Sequence, residues 1–258
     1  MSQTRWDRAH QPVSSGARSA PEVVALPAGM PTLDQLFTFA RDAELRFRTL
    51  RMRVDERTWV ASGERHLVTE VIIVHPGKAR ITTSEPRLGT AANYEIWASD
   101  GETVRTWSAV HGTATHRPIR PRPRGLDQRE MPGASRVYAP LTALAAPSVP
   151  DTLVHPAGFC QNVLATGTTR VVGADVVAGR EAVVVTCDHP RTTQLAGDRP
   201  DYRLEVAFDR TDGVITRLVE RLGEQITRQV TVTAYETEVA VPESTFQPEI
   251  PEGTHIIY

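Results

Sequence analysis

Residues 201–221 read DYRLEVAFDRTDGVITRLVER. Tyr202, Leu204, Val206 and Phe208 alternate with Arg203, Glu205, Ala207 and Asp209, the period of two that gives a β-strand one apolar and one polar face. Asp212-Gly213 supplies a turn, and a second extended run follows it. A strand–turn–strand unit with one greasy face needs a cover for that face. The cover is either the protein's own core or a ligand.

The same grammar extends in both directions. RFRTLRMRVDERTWV (46–60) and HLVTEVIIVH (66–75) read as long strands, and Pro76-Gly77 turns the chain into KARITTSE. YEIWASDGETVRTWSAV reads as a hairpin about Asp100-Gly101, a type I′ signal. TTRVVGADVVAGREAVVVTCDH reads as another about Ala178-Gly179, and EQITRQVTVTAYETEV as the last long strand. Residues 112–152 are Pro-rich and read as irregular, and CQNVLATG (160–167) offers one or two helical turns. Upstream, Thr32-Leu33-Asp34-Gln35 has the form of a capping box. Leu33, Leu36, Phe37 and Ala40 follow it at helical spacing, predicting an amphipathic helix to about Glu44. The sum is one helix and about nine or ten strands joined by tight turns, without βαβ alternation, which points to an antiparallel meander of α+β class.

Residues 1–30 are rich in Ser, Ala, Pro and Arg without periodicity and read as a disordered tail, leaving residues 31–258 as a single domain. At 258 residues, 40% hydrophobic and 23% charged, the chain has ample material for a core. A net charge of -2 argues against coating nucleic acid. No stretch reaches the roughly 20 apolar residues that span a bilayer. The start lacks an apolar signal segment, so the sequence as written reads as cytoplasmic.

The order of elements resembles the LolA-like superfamily, which includes periplasmic lipoprotein carriers and the N-terminal domain of RseB-type envelope-stress regulators. The resemblance rests on Asp209 to Gly213 with its flanking strands, on VTAYE (232–236), and on Pro242 to Gly253 with Phe246 and Pro251-Glu252-Gly253, and covers about residues 32–253. It implies a curved antiparallel sheet, an open half-barrel, capped by the N-terminal helix and a short mid-chain helix. It also implies that acyl chains of lipids or lipidated proteins enter between sheet and helices, and that the location is extracytoplasmic if translation starts upstream. On that basis Leu33, Leu36, Phe37, Ala40, Phe47, Trp97, Trp107, Tyr202, Leu204 and Phe208 are candidate cavity residues; ordinary core is the other reading of each. A long chain buried there would contribute roughly 10 kcal/mol at about 0.8 kcal/mol per methylene, before ordering costs.

Three further groups carry candidate chemistry. Arg117, Arg120, Arg122 and Arg124, interleaved with prolines, could meet an anionic headgroup or remain a solvated loop. His155, Cys160, Cys187 and His189 hold the ligand types of a zinc site at non-standard spacing. The two cysteines could instead form a disulfide, or stay free and buried. Strand charges such as Arg203, Glu205, Arg217 and Glu220 read as cross-strand ion pairs on a wet face. No P-loop, dinucleotide fingerprint, nucleophile elbow or zincin motif is present in the sequence. The expected protein is therefore a non-enzymatic binder without a cofactor. Its partner is a lipid or lipidated protein, or alternatively a regulatory protein meeting a closed module.

Overall fold

The computed structural model describes residues 23–89, 93–119, 140–146, 148–190, 200–252 and 254–257. Two antiparallel meanders are joined side by side. The first runs β1 (Thr49–Val60), β2 (Gly63–Val74), β3 (Lys78–Ser84), β4 (Tyr94–Asp100), β5 (Thr103–Ser108) and β6 (Thr113–Pro118). The second runs β7 (Thr168–Val177), β8 (Arg180–Asp188), β9 (Tyr202–Asp209), β10 (Ile215–Leu222) and β11 (Gln225–Thr237). β1 pairs with β11, and β12 (His255–Ile257) adds to β6 in parallel. The result is one twelve-stranded, mostly antiparallel sheet in the order β12-β6-β5-β4-β3-β2-β1-β11-β10-β9-β8-β7. Its two edges do not pair with each other, and β7 curls back into contact with β11. This is the open half-barrel expected.

The opening stretch forms β9, a turn and β10. Asp209 organises the turn: its Oδ1 accepts the amides of Thr211 and Asp212, and its carbonyl accepts that of Gly213. Gly213 has φ +80, and a Cβ there would stand 3.1 Å from the ring of Phe39, so glycine lets a helix lie directly on the turn.

That helix is α1 (Leu33–Arg41), capped by Thr32 and Gln35 in the predicted box. It ends three residues earlier than the period suggests. Arg46 reaches back from the 3₁₀ turn Ala43–Arg46 and donates to the carbonyl of Phe39, satisfying one of the last helical acceptors. The mid-chain helix is two short helices, α2 (Val149–Val154) and α3 (Pro156–Asn162). Pro156 divides them. Residues 113–118, expected to be irregular, form β6, with Pro118 confined to its end where a missing N–H costs little.

Residues 23–30, read from sequence as tail, lie against the domain. Arg46 donates to the carbonyl of Val24 at 2.8 Å, Arg210 donates to those of Pro27 and Gly29, and Leu26 packs on the core. The remainder of the tail, residues 1–22, lies outside the described residues.

Candidate functional site

Period-two alternation puts Leu50, Met52 and Val54 of β1, Val71 and Ile73 of β2, Val183 and Val185 of β8, and Leu204, Val206 and Phe208 of β9 on the inner face. The helices lie on this face. Leu36 and Ala40 of α1, Leu153 and Val154 of α2, and Cys160 of α3 share one core cluster with those strands. Of the ten candidate cavity residues, Leu36, Ala40, Phe47, Tyr202, Leu204 and Phe208 are buried to 6% exposure or less within that cluster. Leu33, Phe37 and Trp97 are partly buried against it.

Trp107 is elsewhere. In the β4–β5 hairpin Trp97 opposes Thr106, while Trp107 opposes Ile96, so the two indoles point to opposite faces. Trp107 belongs to a separate outer-face cluster with Ile96, Ala98 and Ala114, against which Ile250 packs.

The inner face changes character toward β6. Thr69 and Thr83 bond through their hydroxyls at 3.1 Å, and Thr106 and Thr115 at 2.7 Å. Near β11 the same face carries an ion cluster. Arg228 donates to Glu56 at 2.8 Å and to Glu220 at 3.1 Å, with Tyr202 beside Glu220. Burial pushes the Tyr202 hydroxyl up, and Glu220 adds to the effect. Glu220, read from sequence as a wet-face residue, sits on the inner face because it follows Leu218 by two. Arg203 and Arg217 do form outer-face pairs, with Asp188 at 2.7 Å and Glu205 at 3.0 Å.

A second buried polar cluster joins helices to sheet. His155, at the α2–α3 junction, places Nδ1 2.8 Å from Asp151 and Nε2 3.3 Å from Glu44, which also accepts the amide of Leu141. Burial opposes its protonation, but the hydrogen bonds and charges of Asp151 and Glu44 prevail and raise its pKa. Nearby His75 bonds the hydroxyl of Thr142 at 2.7 Å, packs against Phe47, and is held low chiefly by burial.

In this structure both ring nitrogens of His155 face carboxylates rather than the cysteines. His189 is an exposed turn residue with φ 56. Cys160 and Cys187 are both free and buried. Burial pushes both thiols up, away from the reactive thiolate. Among the described residues no His, Cys, Asp or Glu group of three or more is arranged to hold a metal ion. Arg117 is an exposed residue of β6; Arg120, Arg122 and Arg124 lie outside the described residues. No described helix is long and apolar enough to cross a membrane.

No family model and no curated protein matches the chain. Similarity is found among solved structures. An uncharacterized conserved protein from Thermus thermophilus is 10% identical, with a TM-score of 0.47 over 87% of this chain and 98% of the other. In the Pseudomonas aeruginosa MucA/MucB complex the matching chain is 16% identical, at a TM-score of 0.46 over 84% of this chain and 61% of that one. A LolA superfamily protein from Nitrosomonas europaea is 10% identical, with a TM-score of 0.33 over 83% and 97% of the two chains. The chain thus spans about three fifths of the MucB-type chain it matches. These are likenesses of fold.

Proposed function

We propose that this chain is a non-catalytic binding module whose interior is closed and whose partner, a regulatory protein, meets its surface. The observation that carries this reading is the filling of the helix–sheet interface. The apolar side chains suited to line an acyl cavity pack instead on one another, Leu36, Leu204 and Phe208 being at most 1% exposed. The titratable groups of that interface support a non-enzymatic role. Arg228 with Glu56 and Glu220, and His155 with Asp151 and Glu44, are ion-paired in place rather than converging on a cleft. An extracytoplasmic location accompanies this reading and is checked by fractionation.

A second reading keeps an acyl chain as ligand. It is favoured by the build of the cap: α1, α2 and α3 have nine, six and seven residues, too short to persist alone. They hold their places by packing, and an acyl chain could substitute for part of it at about 0.8 kcal/mol per methylene.

Native mass spectrometry separates the two. The closed-module reading expects the bare polypeptide mass, and a stoichiometric protein complex when a partner captured in vivo is retained. A mass excess of acyl-lipid size, released on denaturation, overturns it in favour of the second.

A further inference from the structure

We infer that the outer face of the sheet carries a small binding site for a short aliphatic carboxylate, beneath the C-terminal segment and apart from the helix–sheet interior. Four residues stand in one row across four strands. Arg80 on β3 opposes Ala98 on β4, Ala98 opposes Arg105 on β5, and Arg105 opposes His116 on β6. The next row, Thr82, Ile96, Trp107 and Ala114, is largely apolar and buried. Cross-strand charges are normally paired with the opposite sign, and no carboxylate stands in this row. Such a breach of the local rule belongs at a site that serves something other than folding.

The partners of the row are unevenly distributed. Arg80 donates to the carbonyl of Thr245 at 3.2 Å and to the hydroxyl of Thr82 at 3.4 Å, so it holds the C-terminal segment. Arg105 and His116 make no hydrogen bond or ion pair among the described residues. Asp100 lies within electrostatic reach of Arg105, but its carboxylate accepts from the amides of Glu102 and Thr103 and from the Thr103 hydroxyl. It is committed to its own turn.

Arg105 and His116 instead line a half-open groove of about 220 Å³, whose other sides are Pro248, Ile250 and Ile256. One side is cationic and the other is aliphatic. A cavity of about 150 Å³ accommodates benzene, and drug-sized ligands need about 300 Å³ or more. The groove is open to solvent on one side, and its volume suits a small amphipathic molecule. A planar carboxylate matches the guanidinium fork of Arg105. A stem of four to six carbons matches the isoleucine–proline wall.

The test is isothermal titration calorimetry on the full chain at low ionic strength, with sodium hexanoate, hexan-1-ol and inorganic phosphate as probes. Hexanoate is expected to bind at least about tenfold more tightly than either other probe, a margin of roughly 1.4 kcal/mol. Arg105→Gln and, separately, His116→Gln should each weaken hexanoate severalfold while leaving the hexanol response unchanged. Ile250→Ala should weaken both. Circular dichroism melts matching the parent establish that each variant is folded, and His116→Gln, at an exposed position, serves if Arg105→Gln is not. Equal affinity for hexanoate and hexanol, phosphate as the tightest probe, or parent-like hexanoate binding by the folded glutamine variants would overturn the site.

Discussion

Arg180 holds Asp209 in a fork, Nε to Oδ2 at 2.6 Å and Nη2 to Oδ1 at 2.9 Å, from the strand next to it. The same Nη2 reaches Asp212 at 2.6 Å, and the guanidinium lies 4.5 Å from the ring of Tyr235. One cation thus serves two carboxylates that are at most 6% exposed, at the corner where α1 meets the β9–β10 turn. Burial and the nearby Asp209 raise Asp212 above the ordinary carboxylate range, while the bond to Asp209 raises Arg180.

Arg180→Gln leaves both carboxylates without that charge. Removing one partner of a buried pair costs about 3–5 kcal/mol. Because Arg180 is partly exposed, the expected loss is near the lower end, read as a lower urea midpoint at pH 7 with an unchanged slope. An unchanged midpoint would mean that water already screens the fork.

The His155 cluster makes a pH-dependent contribution of definite sign. Glu44 and Asp151 raise the folded pKa of His155 above the unfolded value of about 6.5. The resulting stability is fully present below that value and disappears as pH rises through the folded pKa. His75, which also faces Glu44, is lowered by burial and opposes folding as pH falls. Melting temperatures of the parent and His155→Gln should therefore differ most below the unfolded value of about 6.5 and converge as pH rises through the raised folded pKa. A gap independent of pH would show that folding leaves the proton affinity of the imidazole unchanged.

Gly213→Ala combines left-handed backbone with a close approach. The new Cβ would lie 3.1 and 3.2 Å from two ring atoms of Phe39 and 3.3 Å from Cα of Ala40. The expected cost is about 2 kcal/mol or more, from strain plus displacement of α1. Gly223→Ala has positive φ but open space around it, so it should cost only about 1 kcal/mol. Denaturant melts of the two, side by side, separate the helix contact from the backbone effect.

Arg228 between Glu56 and Glu220 offers a different comparison. Arg228→Ala should lower stability by about 3 kcal/mol, because two carboxylates that are 16% and 17% exposed lose their cation. Replacing the set as Glu56→Leu, Arg228→Met and Glu220→Leu should recover most of that loss. If the triple variant is no better than Arg228→Ala, the ion cluster contributes packing that apolar side chains do not reproduce.

The sheet was legible because its signals are local. Alternation from Tyr202 to Phe208, the Asp212-Gly213 and Asp100-Gly101 turns, and the Thr32–Gln35 box each act within a few residues, and each appears at the expected place, although only Gly101 has positive φ in its turn, which is therefore not the type I′ expected. The two Trp residues were separable in principle. If Asp100-Gly101-Glu102-Thr103 is the turn, Trp97 falls opposite Thr106 rather than Trp107, and the faces follow. The ion clusters were not legible in the same way. Glu56, Glu220 and Arg228 come from three strands, and the register that joins them passes bulges at Arg53/Val54 and Glu220/Arg221. The Arg80, Arg105 and His116 row likewise exists only once three successive registers are known. Whether an apolar face meets a ligand or its own helices depends on packing, and alternation is identical in both cases.

The contacts of residues 23–30 also decide how the molecule bears load. Arg46 joins Val24 to Phe39 and Asp212, and Arg210 joins Pro27 and Gly29 to the same turn region. Tension applied ahead of residue 23 is therefore borne first by two guanidinium anchors rather than by the capping box of α1. In a pulling experiment the N-terminal end is therefore expected to peel in steps, Val24 before Pro27 and Gly29.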